Sequence, residues 1–136
     1  MDKVLHSPVG SALRKLGLAA AVVVAAWGPT AVSAKGPVDG VATVALATLP
    51  AEARQTQRLI LSGGPFAHTK DGVVFGNFER RLPRRERGFY REYTVATPGS
   101  RDRGARRIVC GGRQPTLPEA CYYTADHYAS FKLIAR

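Results

Sequence analysis

The sequence is poor in the side chains that build metal centres. Its 136 residues include two cysteines and three histidines, and no histidine pair accompanies the cysteines at ligand spacing. That argues against a metal site. An even cysteine count, if the chain is exported, points instead to a disulfide. Acidic residues are also scarce. Ten Asp and Glu face 20 Lys and Arg, a formal net charge of +10. Long hydrophobic runs are absent too. The apolar stretch Leu16–Trp27 has 12 residues, well short of the ~20 that a membrane-spanning helix needs. No internal repeat or low-complexity tract is present.

What surrounds that stretch explains it. Lys3, Arg14 and Lys15 precede it, and Gly28, Pro29, Ala31, Val32, Ser33 and Ala34 follow. This is the layout of a secretory signal peptide cleaved after Ala34. The expected organisation is therefore a signal peptide at 1–34 and one domain at 35–136, with no membrane attachment after cleavage. Cleavage takes bases from 20 to 17 and acids from 10 to 9, leaving +8 on 102 residues, and 14 of the 17 bases are arginine. Guanidinium offers a planar fork that pairs bidentately with phosphate oxygens. An arginine-rich surface points to a polyanion, with RNA, DNA and anionic lipid all allowed.

The domain reads as one helix followed by strands. Residues 35–48 form a polar, glycine-containing lead. Pro50 suits the first turn of a helix, and Glu52 complements its dipole there. Ala53, Thr56, Leu59 and Ile60 make an apolar stripe, which Ser62-Gly63-Gly64-Pro65 ends. Strand patterns then run over Val73–Phe75, Phe89–Ala96, Ala105–Cys110, Ala120–Thr124 and Ala129–Ile134, with turn signals between them. A helix followed by strands without intervening helices predicts an α+β fold, with the helix packed on a twisted antiparallel sheet.

Few residues could carry chemistry. Period-two alternation puts Tyr90, Glu92 and Thr94 on one face of their strand, and Arg91, Tyr93 and Val95 on the other. A glutamate in mid-strand is disfavoured; it is either a solvated surface residue or a base on the open face. His127 lies in a loop between the last two strands, where it is either polar surface or a proton donor near neutral pH. His68 reads as surface in a polar turn with Lys70 and Asp71. Arg106 and Arg107 point to opposite faces, so at most one projects beside Glu92 from the strand, while Arg103 can reach the same place from the turn. A carboxylate framed by guanidiniums stays ionised, and the guanidiniums can hold a phosphate.

Several linked segments carry a resemblance. They are Asp71-Gly72-Val73-Val74-Phe75-Gly76-Asn77-Phe78-Glu79, Gly88-Phe89-Tyr90-Arg91-Glu92-Tyr93-Thr94-Val95 and Thr97-Pro98-Gly99. Arg103-Gly104-Ala105-Arg106-Arg107-Ile108 and Tyr122-Tyr123-Thr124-Ala125-Asp126-His127-Tyr128 continue the series. In this order and spacing the chain resembles, from Val41 to Ile134, the guanyl-specific microbial ribonucleases, the family of barnase and its secreted bacterial relatives. The resemblance implies the microbial ribonuclease fold and a secreted endoribonuclease that uses no cofactor or metal; a monomer is expected because no apolar stripe exceeds what the core needs. It implies Glu92 as general base, His127 as general acid, Arg103 and Arg107 on the phosphate, and Tyr128 lining the site. RNA would be cut 3′ to guanine through a 2′,3′-cyclic phosphate, later opened to a 3′-phosphate. Phe75, Asn77, Phe78 and Glu79 would hold the base. The Glu79 carboxylate would accept the guanine N1–H and N2–H, and Phe78 would stack on the ring; read without the resemblance, Glu79 is a charge in a basic loop paired with Arg80 or Arg81. An acidic inhibitor of the barstar type is the expected protein partner. The alternative is a secreted basic protein that binds nucleic acid on the same fold without turnover. Ala45 stands where relatives carry a cysteine. Cys121 and the loop from Gly112 to Ala120 are this chain's own, so Cys110 is expected to pair with Cys121 and to pin that loop beside the active site.

Overall fold

A computed structural model describes residues 40–135, together with Gly10. The chain divides into two units, Met1–Val32 and Ser33–Arg136, and the fold described is that of the second. Apart from Gly10, the expected signal peptide lies outside the described residues. Among these, no helix is long and apolar enough to cross a membrane.

The elements are β1 (Ala42–Ala45), a 3-10 turn (Leu46–Thr48), α1 (Ala51–Ser62), β2 (Tyr90–Thr94), β3 (Arg107–Gly111), β4 (Ala120–Thr124) and β5 (Lys132–Ala135). They make one helix against one five-stranded sheet of order β1-β5-β4-β3-β2. The α1 boundaries follow from local chemistry. Pro50, with extended ψ, opens the helix, and Glu52 stands in its first turn. Gly63 ends it in the left-handed region at φ 81°. There the Gly64 N–H reaches the Leu59 carbonyl at 2.9 Å and the Gly63 N–H reaches Ile60 at 3.3 Å, a Schellman closure. The buried stripe is Ala53, Thr56, Gln57 and Ile60. Gln57 takes the place expected for Leu59, which is only half-buried.

Alternation along the strands divides the core in two. Tyr93, Val95, Ile108, Cys110, Cys121, Tyr123 and Ile134 pack with Leu49, Ala53 and Ile60 on the helix side. Tyr90, Val109 and Tyr122 face the other way, under Leu82, Phe89 and Phe131. Ile108 is fully buried; truncating such a side chain to alanine costs about 2–5 kcal/mol. Because both sheet faces are covered, the strands lack the apolar-in, polar-out pattern of a one-sided sheet.

Three expectations are corrected. The polar lead contains a strand, β1, which joins the sheet parallel to β5 with Ala42 opposite Lys132 and Ala45 opposite Ala135. The sheet is thus mixed at that edge and antiparallel elsewhere. The stretch Val73–Phe75 makes a single bridge, Val74 to Arg91, rather than a strand. It still lies along β2: Gly72 N–H donates to Glu92 O at 2.8 Å, Glu92 N–H to Val73 O at 3.0 Å, and Phe75 N–H to Tyr90 O at 2.9 Å. Finally, Cys110 and Cys121 do form a disulfide, but it faces the helix. The loop after Gly111 leaves the β3–β4 hairpin at the end opposite the Arg107–Thr124 pair, so the bridge does not pin that loop beside His127.

Candidate active site

The face of the sheet away from α1 carries the reactive groups. Register sets Glu92 opposite Val109 and Thr94 opposite Arg107, so Glu92, Thr94 and Arg107 project from the same side. Glu92 is 8 % exposed and Arg107 is 2 % exposed. Charges this buried need partners. The Glu92 carboxylate accepts a hydrogen bond from Tyr128 Oη at 2.6 Å on Oε2 and from Arg103 Nη2 at 3.0 Å on Oε1. Arg107 Nε donates to Tyr128 Oη at 3.2 Å, and its Nη1 donates to the Arg106 carbonyl at 2.7 Å. Tyr128 is therefore the link between carboxylate and guanidinium. Burial first, and then the hydrogen bond to Glu92, push its phenol above the usual tyrosine value, so it remains a donor.

Arg103 is steadied from below. Its Nε donates to Thr94 Oγ1 at 2.6 Å, and its Nη2 lies 3.9 Å from Asp71 Oδ1. That same Asp71 oxygen accepts the Thr94 backbone N–H at 2.7 Å. A sequence reading puts Asp71 in a polar turn, and nothing in its spacing reveals that its side chain is 4 % exposed and beside Arg103.

His127 arrives on a turn built from polar side chains. Thr124 Oγ1 donates to Asp126 Oδ1 at 2.8 Å and accepts the Tyr128 N–H at 3.2 Å. Ser130 donates to Asp126 through both its hydroxyl and its N–H, which with the Thr124 bond holds the Asp126 carboxyl down at about 2. This turn places His127 and Tyr128 in the left-handed region at φ 53° and 71°, sparsely used by such residues. The His127 N–H anchors on the Ala105 carbonyl at 3.0 Å. Its imidazole is exposed, with its ring centroid 4.9 Å from that of Tyr128.

A cavity of about 160 Å³ adjoins this cluster, lined by Phe75, Asn77, Phe78, Glu79, Arg81, Tyr128 and Phe131. Phe75 stacks on Tyr128 with centroids 5.2 Å apart, so cavity and carboxylate cluster share one aromatic wall. Asn77 shapes the loop by pairing both ends of its amide with the Leu82 backbone, at 2.9 and 3.1 Å. Phe78 projects from the turn 93 % exposed. Its ring lies against Gly76, where an added Cβ would come within 2.4 Å of it. A side chain at position 76 would displace that ring. Glu79 is ion-paired to Arg81 at 2.9 Å. The pairing of Glu79 with an arginine of its own basic loop is readable from the sequence, with Arg80 and Arg81 both open, and the structure selects Arg81. Sequence reasoning missed Phe131, one aromatic among several in the strand patterns.

The structure thus joins Glu92, Arg103, Arg107 and Tyr128 by hydrogen bonds, sets His127 against Tyr128, and groups Phe75, Asn77, Phe78 and Glu79 around the adjoining cavity. Fold and site together define a small basic α+β domain whose buried carboxylate and guanidiniums converge on one sheet face beside an aromatic cavity. The ribonuclease family model matches residues 32–135. Guanyl-specific ribonuclease Sa from Kitasatospora aureofaciens is 53 % identical over 92 residues, covering 68 % of this chain and 92 % of that protein. Guanyl-specific ribonuclease St from Saccharopolyspora erythraea is 48 % identical over 98 residues, covering 72 % and 92 %. Crystal structures of ribonuclease Sa2 are similar as well. One with guanosine-2′-cyclophosphate gives a TM-score of 0.63 at 45 % identity, covering 70 % of this chain and 96 % of that one. Sa2 complexes with mononucleotides give 0.65 at 46 %, covering 71 % and 95 %. The chain belongs to the ribonuclease family.

Proposed function

We propose that this protein is a guanyl-specific endoribonuclease that cuts RNA 3′ to guanine by transphosphorylation. The observation that carries the reading is the buried Glu92 carboxylate. Tyr128 and Arg103 hold it, and its backbone is hydrogen-bonded to the segment leading into the cavity loop. Base pocket and reacting group are thereby fixed relative to each other.

In the proposed reaction Glu92 takes the proton of the ribose 2′-hydroxyl. The 2′-oxygen attacks the adjacent phosphorus, the bond from phosphorus to the 5′-oxygen breaks, and His127 delivers a proton to that leaving oxygen. Arg103 and Arg107 stabilise charge on the non-bridging oxygens. Water later opens the 2′,3′-cyclic phosphate to a 3′-phosphate with the two proton-transfer roles exchanged. DNA lacks the 2′-hydroxyl and binds without being cut. In the pocket Glu79 accepts the guanine N1–H and N2–H, an edge that adenine lacks, and Phe78 stacks on the ring.

The test uses residues 35–136 and a short RNA with one guanine, in the presence of EDTA. A single cut 3′ to the guanine, ending in a cyclic phosphate, is expected. Glu92→Gln should slow it by roughly 10²–10⁴-fold, the usual contribution of a general base. RNA retained on a filter but uncut would instead make the protein a binding module.

Secretion with cleavage after Ala34, a monomeric state and an acidic barstar-type inhibitor belong to the same reading. The +8 charge of residues 35–136 supports an acidic partner. N-terminal sequencing of exported protein should start at Lys35. Size exclusion should give a monomer that an acidic inhibitor of this type converts to a 1:1 complex.

A further inference from the structure

The guanidinium of Arg81 sits on the carboxylate that the base pocket needs. Its Nε lies 2.9 Å from Glu79 Oε2, and both side chains line the same cavity as Phe75, Phe78 and Tyr128. An arginine edge offers N–H donors in a fork, which is chemically what guanine presents through N1–H and N2–H. In the free protein, Arg81 therefore occupies Glu79 as an internal stand-in for the base. The two side chains are 48 % and 75 % exposed, and exposed pairs of this kind are weak. A guanine entering the pocket can open it.

Once displaced, the Arg81 guanidinium is left charged at the rim of the pocket. The phosphate on the 3′ side of the guanine lies, in the proposed reaction, with Arg103 and Arg107. The neighbouring anion still without a cation is the phosphate on the 5′ side. We infer that Arg81 changes partners during substrate binding, from Glu79 in the free protein to the phosphate 5′ of the bound guanosine. This rests on the reading of Glu79 as the guanine acceptor. The pocket then favours a guanine inside a longer strand over one at a 5′ end, because an internal guanosine repays the broken ion pair with a new phosphate contact.

The substrates that test this are guanylyl-cytidine with a free 5′-hydroxyl, and the same dinucleotide extended by one adenosine on its 5′ side. Arg81→Ala removes the competing cation, so KM for the dinucleotide should fall by roughly 2- to 5-fold, the fold-change equivalent of an exposed ion pair. For the extended substrate the lost competition and the lost phosphate contact act in opposite directions, so KM should stay within about 2-fold of the unsubstituted protein. Equal changes in KM for the two substrates would overturn the partner exchange. Glu79→Ala keeps the two readings separate, measured as the guanine-to-adenine ratio. Collapse of that ratio supports Glu79 as the base reader. An unchanged ratio removes that reading and, with it, the exchange. An unaltered thermal transition in Arg81→Ala assigns its effects to the site.

Discussion

At the scale of single residues, the Tyr128 hydroxyl connects two charges that would otherwise be separate. It donates to Glu92 at 2.6 Å and accepts from Arg107 at 3.2 Å, while its ring stacks on Phe75. Tyr128→Phe separates these roles, because the ring remains and the hydroxyl goes. A hydrogen bond to a charged group is worth about 1.5–3 kcal/mol, so kcat should fall roughly 10- to 100-fold with KM little changed. Loss confined to KM would show that Tyr128 serves the base pocket alone. The residues of this site differ in how visible they are in sequence. Glu92 is visible because a mid-strand glutamate is unusual, whereas alternation only separates Arg106 from Arg107, and it is the family resemblance that singles out Arg107. Asp71 stays hidden, because it acts through a contact across 23 residues to Thr94. Arg81 is half-visible, since the sequence offers Arg80 and Arg81 equally as partners of Glu79 and only the structure chooses between them.

At the scale of elements, α1 and β4 were readable because each has a local cause. A proline and a glycine bracket the helix, and dense aromatic and β-branched residues mark β4. β1 was not readable. Its residues are mostly exposed, and what makes them a strand is parallel pairing with β5, some 90 residues away in the sequence. The disulfide shows the same division. Its existence follows from the cysteine count, whereas its face depends on register. Opposed on β3 and β4, the two cysteines belong to the helix-side cluster and lie on the face opposite Glu92. The double variant Cys110→Ala, Cys121→Ala should therefore lose stability without losing chemistry. Opening a loop of this length costs about 3 kcal/mol, which should lower Tm by roughly 12–24 °C, with kcat and KM unchanged at 25 °C. A fall in kcat at a temperature where the variant is still folded would mean that the bridge positions the site after all.

At the scale of the whole molecule, the charge is almost entirely arginine, and it does not titrate away in alkali. The tyrosines behave differently. Tyr90, Tyr93, Tyr123 and Tyr128 are all held above the ordinary tyrosine value, with burial the largest cause in each. In the unfolded chain the same phenols ionise near 10. The unfolded state then binds fewer protons than the native state, and stability falls with rising pH. The contribution of these buried phenols is complete below about pH 10 and is lost as pH rises towards their higher native values. Arginine remains charged throughout that interval, so repulsion among the 14 arginines of residues 35–136 stays nearly constant and the decline belongs to the tyrosines. Phenolate absorbance should thus appear together with loss of secondary structure, in one cooperative step above pH 10. The urea midpoint should drop steadily from pH 10 to that step while changing little between pH 8 and 9. Progressive phenolate formation near pH 10 with the circular dichroism spectrum intact would mean that these hydroxyls reach solvent in the native state. In that case Tyr128 could not remain a fixed donor to Glu92 in alkali, and activity should decline with the phenol titration rather than with unfolding.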